Sequence, residues 1–394
     1  MSWPQNRTEP VDAARRAEWH RRFAESDAAA GFEISEDFQP FSQMNDMFTR
    51  AFWDPAVKSA QTEAFFNSYR MDAEPRRGEG FSQKDFALRN AAWAISDIIS
   101  NRSAGEGRRE GFQAPVAEDA PVAPLRAELG TPEEEAREIK ALARLFGADL
   151  VGITAIDERW HYTERPDTRT MTAVENTLPE GLGHVIVMGH AMDHDLVATY
   201  PSALAGASTG QEYSHEAAIV IQLAAYIRNL GYQAVASMND TALVIPYAIK
   251  AGLGEYGRNQ MVLTPEFGPR VRFSKIFTDM PLAPDAPRRL GLAAYCQGCT
   301  DCAEACPPRA LPFGAPDFGG DSPRPSAACA NGRPIAKSVS ATGRSCAATA
   351  RSACGSAPST AGAVGAIGCG SGLQPGGDGA WRNGGRCGPG GANA

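Results

Sequence analysis

The sequence predicts a layered α/β or α+β core, followed by a cysteine-rich segment and a low-complexity tail. Between Thr131 and Ser237, apolar residues alternate between helical and strand-like spacing, which is typical of helices packed on a sheet. Four cysteines fall within eleven residues, whereas no cysteine precedes Cys296. The composition then changes sharply near residue 320. The chain is therefore expected to have a folded core and two C-terminal parts of different character.

The composition limits the classes of function. The 394 residues are 43% hydrophobic and 21% charged, as in soluble globular proteins of two or three domains. The net charge is −8, with +5 in residues 321–394, so residues 1–320 carry −13, which argues against nucleic acid as a partner. No run approaches 18 apolar residues, so no transmembrane segment is predicted. No apolar signal region follows Arg15, and we expect a cytoplasmic protein.

The pattern of caps and apolar residues predicts the elements of the core. Residues 1–130 are expected to be a helical N-terminal region that ends in a Gly- and Pro-rich linker at 102–127. A helix starts after Thr131, has Pro132 in its first turn and ends at Gly147. The catalytic core is expected at 131–287. Its further predicted elements are strands at 148–155, 185–188 and 232–237, and a helix at 212–229.

The cysteine cluster has the spacing of an iron–sulfur motif. Its ligands would be Cys296, Cys299, Cys302 and Cys306, the last followed by Pro307. This is the C-x2-C-x2-C-x3-C-P run of bacterial ferredoxins with two clusters, in which the fourth cysteine serves the neighbouring cluster. A structural zinc site is the alternative, but zinc usually takes paired C-x2-C knuckles. Residues 288–320 are therefore predicted to be a ferredoxin-like 4Fe-4S segment.

The second cluster motif that such a domain needs is missing from the tail. The five later cysteines show no C-x2-C spacing, and Gly, Ala, Ser and Pro supply 47 of the 74 residues in 321–394. Such a segment is predicted to be disordered. We hypothesise that it is out of the original reading frame, which the coding DNA would test by restoring a C-x2-C-x3-C-P run in another frame. The alternatives are a genuine flexible tail and a single cluster that uses all four cysteines.

The segment before the cysteines is rich in glycine and arginine. Gly252, Gly254 and Gly257 would let the backbone approach a large ligand closely, and we predict that they bind a cofactor. The lysine and Ser/Thr pair of a phosphate loop is absent. Arg270 and Arg272 then alternate into an apolar strand, where a charged group needs a partner, and we predict that Arg270 also binds the cofactor.

Two stretches together resemble a known family. GLGEYGRNQMVLTPEFGPRVRFSKIFTDMPL, followed by CQGCTDCAEACP, is similar to the corrinoid- and iron–sulfur-dependent reductive dehalogenases. The resemblance covers about residues 40–316. It implies a nitroreductase-like corrinoid-binding core, cobalamin with its lower base displaced and two 4Fe-4S clusters. It further implies a small organohalide substrate and an electron donor such as reduced ferredoxin, flavodoxin or a reductase.

The resemblance also implies the catalytic residues. Tyr213 looks like the tyrosine that gives a proton to the carbon losing halide, Asn239 like a pocket asparagine and Arg272 like the arginine beside the tyrosine. A free tyrosine has a pKa near 10, and a guanidinium nearby favours the phenolate, which would make Tyr213 a better proton donor. Some members use a lysine instead, for which Lys250 or Lys275 could serve. Each residue also has a plain structural interpretation as a packed, capping or ion-paired side chain.

Two alternatives remain open at this stage. An epoxyqueuosine reductase shares the corrinoid and ferredoxin architecture but acts on tRNA, which would favour a basic surface rather than a charge of −13. A non-catalytic electron carrier, or an inactive remnant of a dehalogenase, would fit the missing second motif. Whether the chain binds iron would separate these from a working enzyme.

Overall fold

We analysed a computed structural model of the chain. The residues that it describes are 11–34, 36, 38–55, 58, 79–105, 121–167, 170, 172–200, 202–306, 311 and 313–314. The predicted tail at 321–394 and most of the predicted linker at 102–127 lie outside them; the linker's first residues are the end of a helix. Among the described residues, no helix is long and apolar enough to cross a membrane.

Helices and strands alternate along the core. The helices are α1 Ala13–Ala30, α2 Met47–Trp53, α3 Gln83–Gly105, α4 Pro132–Phe146, α5 His194–Ala198, α6 Ala203–Asn229, α7 Val244–Lys250, α8 Leu292–Gly298 and α9 Asp301–Glu304. The strands are β1 Leu150–Ala155, β2 Glu164–Asp167, β3 Thr172–Glu175, β4 His184–Ala191, β5 Ala234–Ser237, β6 Glu255–Tyr256, β7 Val262–Leu263 and β8 Val271–Thr278.

The main sheet has four strands in the order β1-β4-β8-β5, and every neighbouring pair is antiparallel. Alternate residues of β4 and β8 face opposite sides, so the sheet contributes to two hydrophobic clusters. One cluster contains Ile186 and Ile276 and is covered by α4 and α6, whereas the other contains Val187 and Phe277 and is covered by α1 and α7. The fold is therefore mixed, and the antiparallel sheet makes it α+β and corrects the α/β alternative.

Helix α4 forms as its caps predict. Thr131 accepts a hydrogen bond from the backbone of Glu134, whose side chain bonds back to the Thr131 backbone, and Gly147 ends the helix with a left-handed φ of 117°. This is a capping box at one end and a glycine C-cap at the other. The predicted strands at 148–155, 185–188 and 232–237 are also present, with shifted ends.

Helix α6 begins nine residues earlier than predicted. Ser202 caps it, and its first turns consist of small residues that are buried against α3. A Cβ atom at Gly210 would lie 2.3 Å from the Trp93 ring, and one at Gly206 would lie 2.9 Å from Arg89. The small residues thus let α3 approach α6 closely, and this contact rather than helix propensity determines where α6 begins. The hairpins β2–β3 and β6–β7 were not predicted either.

Candidate active site

Tyr213, Asn239 and Arg272 meet in the structure, although they are far apart in the sequence. The Asn239 amide donates a hydrogen bond to the Tyr213 hydroxyl oxygen. The Arg272 guanidinium lies 3.7 Å from the centre of the Tyr213 ring. A donor on the phenol oxygen and a cation over the ring both favour the phenolate over the phenol. The arrangement can therefore support proton transfer from Tyr213.

Three different elements position these side chains. Tyr213 lies in the middle of α6, Arg272 near the start of β8, and Asn239 in the loop after β5. Tyr213 is buried, whereas Asn239 is exposed between two buried neighbours. The indole of Trp93, on α3, stacks on the Tyr213 ring with the centroids 5.1 Å apart. Sequence reasoning did not single out Trp93, because its partner is 120 residues away.

Two buried carboxyl groups lie on α6 next to this trio. Glu216 is fully buried, and neither of its carboxylate oxygens has a hydrogen-bond partner among the described residues. Burial raises its pKa to about 8, against the opposing charge of Arg272. Burial and the charge of Asp149 raise the pKa of Glu212 to about 7. Near neutral pH, Glu216 is therefore mostly protonated and compensates little of the charge of Arg272.

A buried histidine completes the surroundings of Arg272. His190 on β4 is the register partner of Arg272 on β8, and its Nε2 lies 2.8 Å from the Ser274 hydroxyl. Burial, together with His215 and Arg272, lowers the pKa of His190 to about 3. This histidine is therefore neutral at physiological pH. His194, by contrast, is exposed and lies 3.1 Å from Asp195.

The two lysines proposed as alternative partners of the tyrosine have other contacts. Lys250 lies on the other face of the sheet, where its Nζ is 2.7 Å from Asp27 and 2.9 Å from Asp157. Lys275 is fully buried on β8 and donates to the carbonyl oxygens of Met238 and Asp240. Arg272, rather than either lysine, is the cation seen over the Tyr213 ring.

The predicted cofactor-binding residues lie in loops packed against the chain itself. A Cβ atom at Gly252, which has a φ of 74°, would lie 2.5 Å from the Ala286 carbonyl oxygen, and one at Gly254 would lie 2.5 Å from that of Leu263. A Cβ atom at Gly257 would lie 2.7 Å from the Asn259 side chain. Close packing against neighbouring backbone and side-chain atoms thus accounts for glycine at these positions.

Arg270 is likewise engaged in a local contact. Its guanidinium donates to the Met192 carbonyl oxygen at 2.5 Å and lies 5.4 Å from the centre of the Phe267 ring. These contacts join the start of β8 to the end of β4. The role of Arg270 and of the three glycines in cofactor binding stays a prediction.

The cysteine segment has the donor chemistry of an iron–sulfur site. Cys296, Cys299 and Cys302 are close enough to influence one another, since burial and the two other thiols raise the pKa of Cys302 to about 11. A bound metal centre would favour the deprotonated form of such thiols, because its positive charge would compensate for the repulsion between them. In the described residues, however, no three Cys, His, Asp or Glu side chains form a metal-binding group. The residue types fit a cluster, whereas their arrangement is not that of an assembled ligand set.

Two residues of the GLGEYGR stretch hold the cysteine segment in place. Glu255 accepts hydrogen bonds from the backbone N–H groups of Leu290 and Leu292, just before and at the start of α8. The Arg258 guanidinium donates to the carbonyl oxygens of Cys296 and Gly314. The charged residues inside this glycine-rich stretch were the signal for these contacts, which sequence reasoning missed.

Comparison with known proteins identifies the central segment. A family model described as reductive dehalogenase subunit matches residues 170–282, which include Tyr213, Asn239 and Arg272. The central segment of the chain thus matches the reductive dehalogenase family. The tetrachloroethene reductive dehalogenase of Dehalobacter restrictus is 38% identical over 214 residues, which is 45% of this chain and 39% of that protein. The tetrachloroethene reductive dehalogenase of Sulfurospirillum multivorans is 28% identical over 353 residues, 78% of this chain and 70% of that protein.

The fold agrees with that family. The solved structure of the catabolic reductive dehalogenase NpRdhA superposes with a TM-score of 0.56 and 24% identity, over 72% of this chain and 37% of that one. This likeness concerns the fold alone. The present chain spans about two fifths of the length of the Dehalobacter relative and of NpRdhA.

Proposed function

We propose that this chain is a reductive dehalogenase in which Tyr213 donates the proton that takes the place of the halogen. The observation that carries the proposal is the meeting of the Asn239 amide and the Arg272 guanidinium on Tyr213, inside the segment that matches the family. The names of its relatives indicate a small chlorinated alkene as the first substrate to test. Trp93, stacked on Tyr213, adds an apolar wall that would suit such a compound.

The overall reaction takes up two electrons and one proton. The carbon–halogen bond breaks, halide leaves with an electron pair, and the carbon receives the two added electrons and the proton of the Tyr213 hydroxyl. When bound, a cobalt corrinoid fed by 4Fe-4S clusters would supply those electrons. The chain's own contribution is to hold the proton and to stabilise the phenolate that remains, through the Asn239 hydrogen bond and the charge of Arg272.

The protonated state of Glu216 supports this role. A carboxylate beside Arg272 would cancel part of the positive charge that stabilises the phenolate. Because burial raises the pKa of Glu216 to about 8, the group is mostly neutral at pH 7. Glu216 therefore takes away little of the effect of Arg272 on Tyr213 near neutral pH.

Tyr213→Phe tests the proposal, with Tyr226→Phe as its control. Tyr226 lies on the same helix, with its hydroxyl bonded to Glu138 on the surface. Each full-length variant is reconstituted without oxygen with cobalamin, iron and sulfide, reduced with a low-potential chemical donor and given tetrachloroethene. We expect Tyr213→Phe to release halide about 100-fold more slowly or worse, since a positioned general acid contributes about that much. Tyr226→Phe should match the wild-type chain.

Metal content separates the possible failures. Unchanged cobalt and iron in Tyr213→Phe would assign its loss of activity to proton transfer, and equal halide release by both variants would remove Tyr213 from the mechanism.

Cys299→Ala should lose iron, and unchanged iron would contradict the cluster assignment. A wild-type chain that binds cobalt and iron but releases no halide, from tetrachloroethene or from the 3-bromo-4-hydroxybenzoic acid seen with NpRdhA, would argue against the function itself.

A further inference from the structure

The loop that carries Asn239 is held rigidly from within. The Asp240 carboxylate accepts hydrogen bonds from the Met238 backbone at 2.8 Å, from the Ser237 hydroxyl at 3.0 Å and from the Thr241 hydroxyl at 2.7 Å. Thr241 has a φ of 66°, a left-handed conformation that is costly for a β-branched residue. The backbone is therefore strained at Thr241, where the chain turns sharply just after Asn239.

One buried lysine binds this loop on both sides of Asn239. The Nζ atom of Lys275 donates to the Met238 carbonyl oxygen and to the Asp240 carbonyl oxygen, each at 2.8 Å. Lys275 is fully buried, and both carbonyls belong to buried residues, whereas Asn239 between them is exposed. Hydrogen bonds in such a buried site are stronger than the same bonds exposed to water. The contact therefore fixes the backbone before and after Asn239.

Two side chains of strand β8 influence Tyr213, one directly and one through the loop that carries Asn239. Arg272 and Lys275 are three residues apart on β8, so their side chains leave opposite faces of the sheet. Arg272 lies directly over the Tyr213 ring. Lys275 reaches the loop whose tip, Asn239, donates to the Tyr213 hydroxyl.

From this geometry we propose that Lys275 is a positioning residue, which holds the loop at 238–240 so that the Asn239 amide meets the Tyr213 hydroxyl. The proposal rests on the proposed role of Tyr213 as proton donor. Lys275 does not touch the reacting atoms in this account and acts only through Asn239. It follows that removal of Lys275 and removal of the Asn239 amide should have the same effect on Tyr213, and that the two effects should not add.

Tyr213 itself supplies a readout that needs no cofactor or substrate. Full-length apoprotein is labelled with tyrosine carrying 13C at Cζ, and the Tyr213 resonance is assigned by its loss in Tyr213→Phe. Its ionisation is followed between pH 7 and pH 11 in wild type, Lys275→Met, Asn239→Ala and the double variant. We expect both single variants to raise the titration midpoint by roughly half a pH unit or more, because the phenolate loses a hydrogen bond. The double variant should shift it no further.

Thr278→Val is the matched control, since it removes a buried hydrogen bond from the other end of β8, where Thr278 donates to the Gln233 carbonyl oxygen. It should leave the Tyr213 midpoint unchanged. Lys275→Gln keeps one donor at the site and should shift the midpoint less than Lys275→Met; it also replaces Lys275→Met if that variant does not fold. The proposal is overturned if the Tyr213 midpoint shifts in Asn239→Ala but not in a folded Lys275→Met or Lys275→Gln. It is also overturned if the two shifts add in the double variant.

In the reconstituted enzyme, Lys275→Gln should lower kcat severalfold and leave KM nearly unchanged, since the loop acts on proton transfer. The titration and the activity separate the two proposals. A non-additive midpoint shift together with full activity in Tyr213→Phe would support the positioning contact and reject the proton donor.

Discussion

Two buried groups of charged side chains lie on opposite faces of the same sheet and differ in how fully they are paired. On the α1 side, the Arg159 guanidinium contacts Asp27 at 2.8 Å and Asp157 at 2.7 Å, and Lys250 contacts the same two carboxylates. On the α6 side, Glu216 has two unpaired carboxylate oxygens, and the Arg272 Nε and His190 Nδ1 also lack partners among the described residues.

The pKa shifts follow this difference. At Asp157, burial acts to raise the pKa, but the hydrogen bond from Arg159 and the charge of Lys250 outweigh it and lower the pKa. At Glu216, burial raises the pKa to about 8, because the charge of Arg272 compensates only in part. A fully paired network fixes a structure, whereas unpaired buried groups with shifted pKa values are typical of functional sites. The contrast supports the proposal that the reaction takes place on the α6 side.

Breaking the paired network should have the largest effect on stability. Arg159→Met removes the central cation and leaves two buried carboxylates with Lys250 alone. We expect the free energy of unfolding to fall by about 3–5 kcal/mol, as when one partner of a buried ion pair is lost. Urea denaturation measures it. The control is Arg22→Met, which removes an exposed contact to Glu158 and should cost at most about 1 kcal/mol. Equal losses in the two variants would contradict the comparison.

Removing an unpaired group on the other side should stabilise the protein at high pH. The pKa of Glu216 is raised to about 8 in the folded state, so between about pH 4.5 and pH 8 the folded chain holds a proton that the unfolded chain has lost. Wild-type stability therefore falls in that window by up to about 1.4 kcal/mol per pH unit from this group. Glu216→Gln should lack this fall, so that its advantage over wild type grows from pH 5 to pH 8.

Urea denaturation at pH 5, 6.5 and 8 measures this difference. The charged groups that influence the pKa of Glu216 are Arg272, Glu212, Lys275 and Asp240, and they are present in both proteins. Glu133→Gln, at the exposed start of α4, serves as control and should keep the wild-type pH dependence. A Glu216→Gln curve parallel to that of wild type would show that Glu216 ionises normally in the folded chain.

The smallest expected effect concerns the attachment of the cysteine segment. Arg258→Met removes the hydrogen bonds to the carbonyl oxygens of Cys296 and Gly314. Because Arg258 is partly exposed, we expect a local loss of about 1 kcal/mol, seen as roughly fivefold faster amide exchange in α8 and α9 with little change in α6. Arg288→Met, which removes an exposed contact to Glu266, should leave that exchange unchanged. Exchange that accelerates throughout the chain would indicate a global role.

Local signals predicted much of the core. The capping residues of α4 and the apolar runs of β1, β4 and β5 lie within short windows, where spacing and propensity suffice. The GLGEYGR and CQGCTDCAEACP stretches indicated a family, and the resemblance to that family made Tyr213, Asn239 and Arg272 candidates. The structure places the Asn239 and Arg272 side chains in contact with Tyr213. Their catalytic roles stay a prediction.

The parts that were missed depend on contacts between distant residues. Glu216 lies in an apolar helix, and its neighbours in the sequence do not show that it is an unpaired acid. The cation that influences it, Arg272, comes from β8. Lys275 was considered in the sequence only as a possible partner of the tyrosine, and its contacts with the loop after β5 become visible only in the structure. Glu255 and Arg258 bind backbone atoms more than 30 residues away. No local pattern encodes such partners.

The close packing of α3 on α6 has a consequence for the immediate surroundings of Tyr213. Gly210 faces the edge of the Trp93 indole, and that indole lies against Tyr213. A methyl group at position 210 would overlap the indole, so the ring that stacks on Tyr213 would have to shift. A glycine one helical turn before Tyr213 thus fixes where this ring lies, so the surroundings of the proposed proton donor could be altered without changing Tyr213, Asn239 or Arg272.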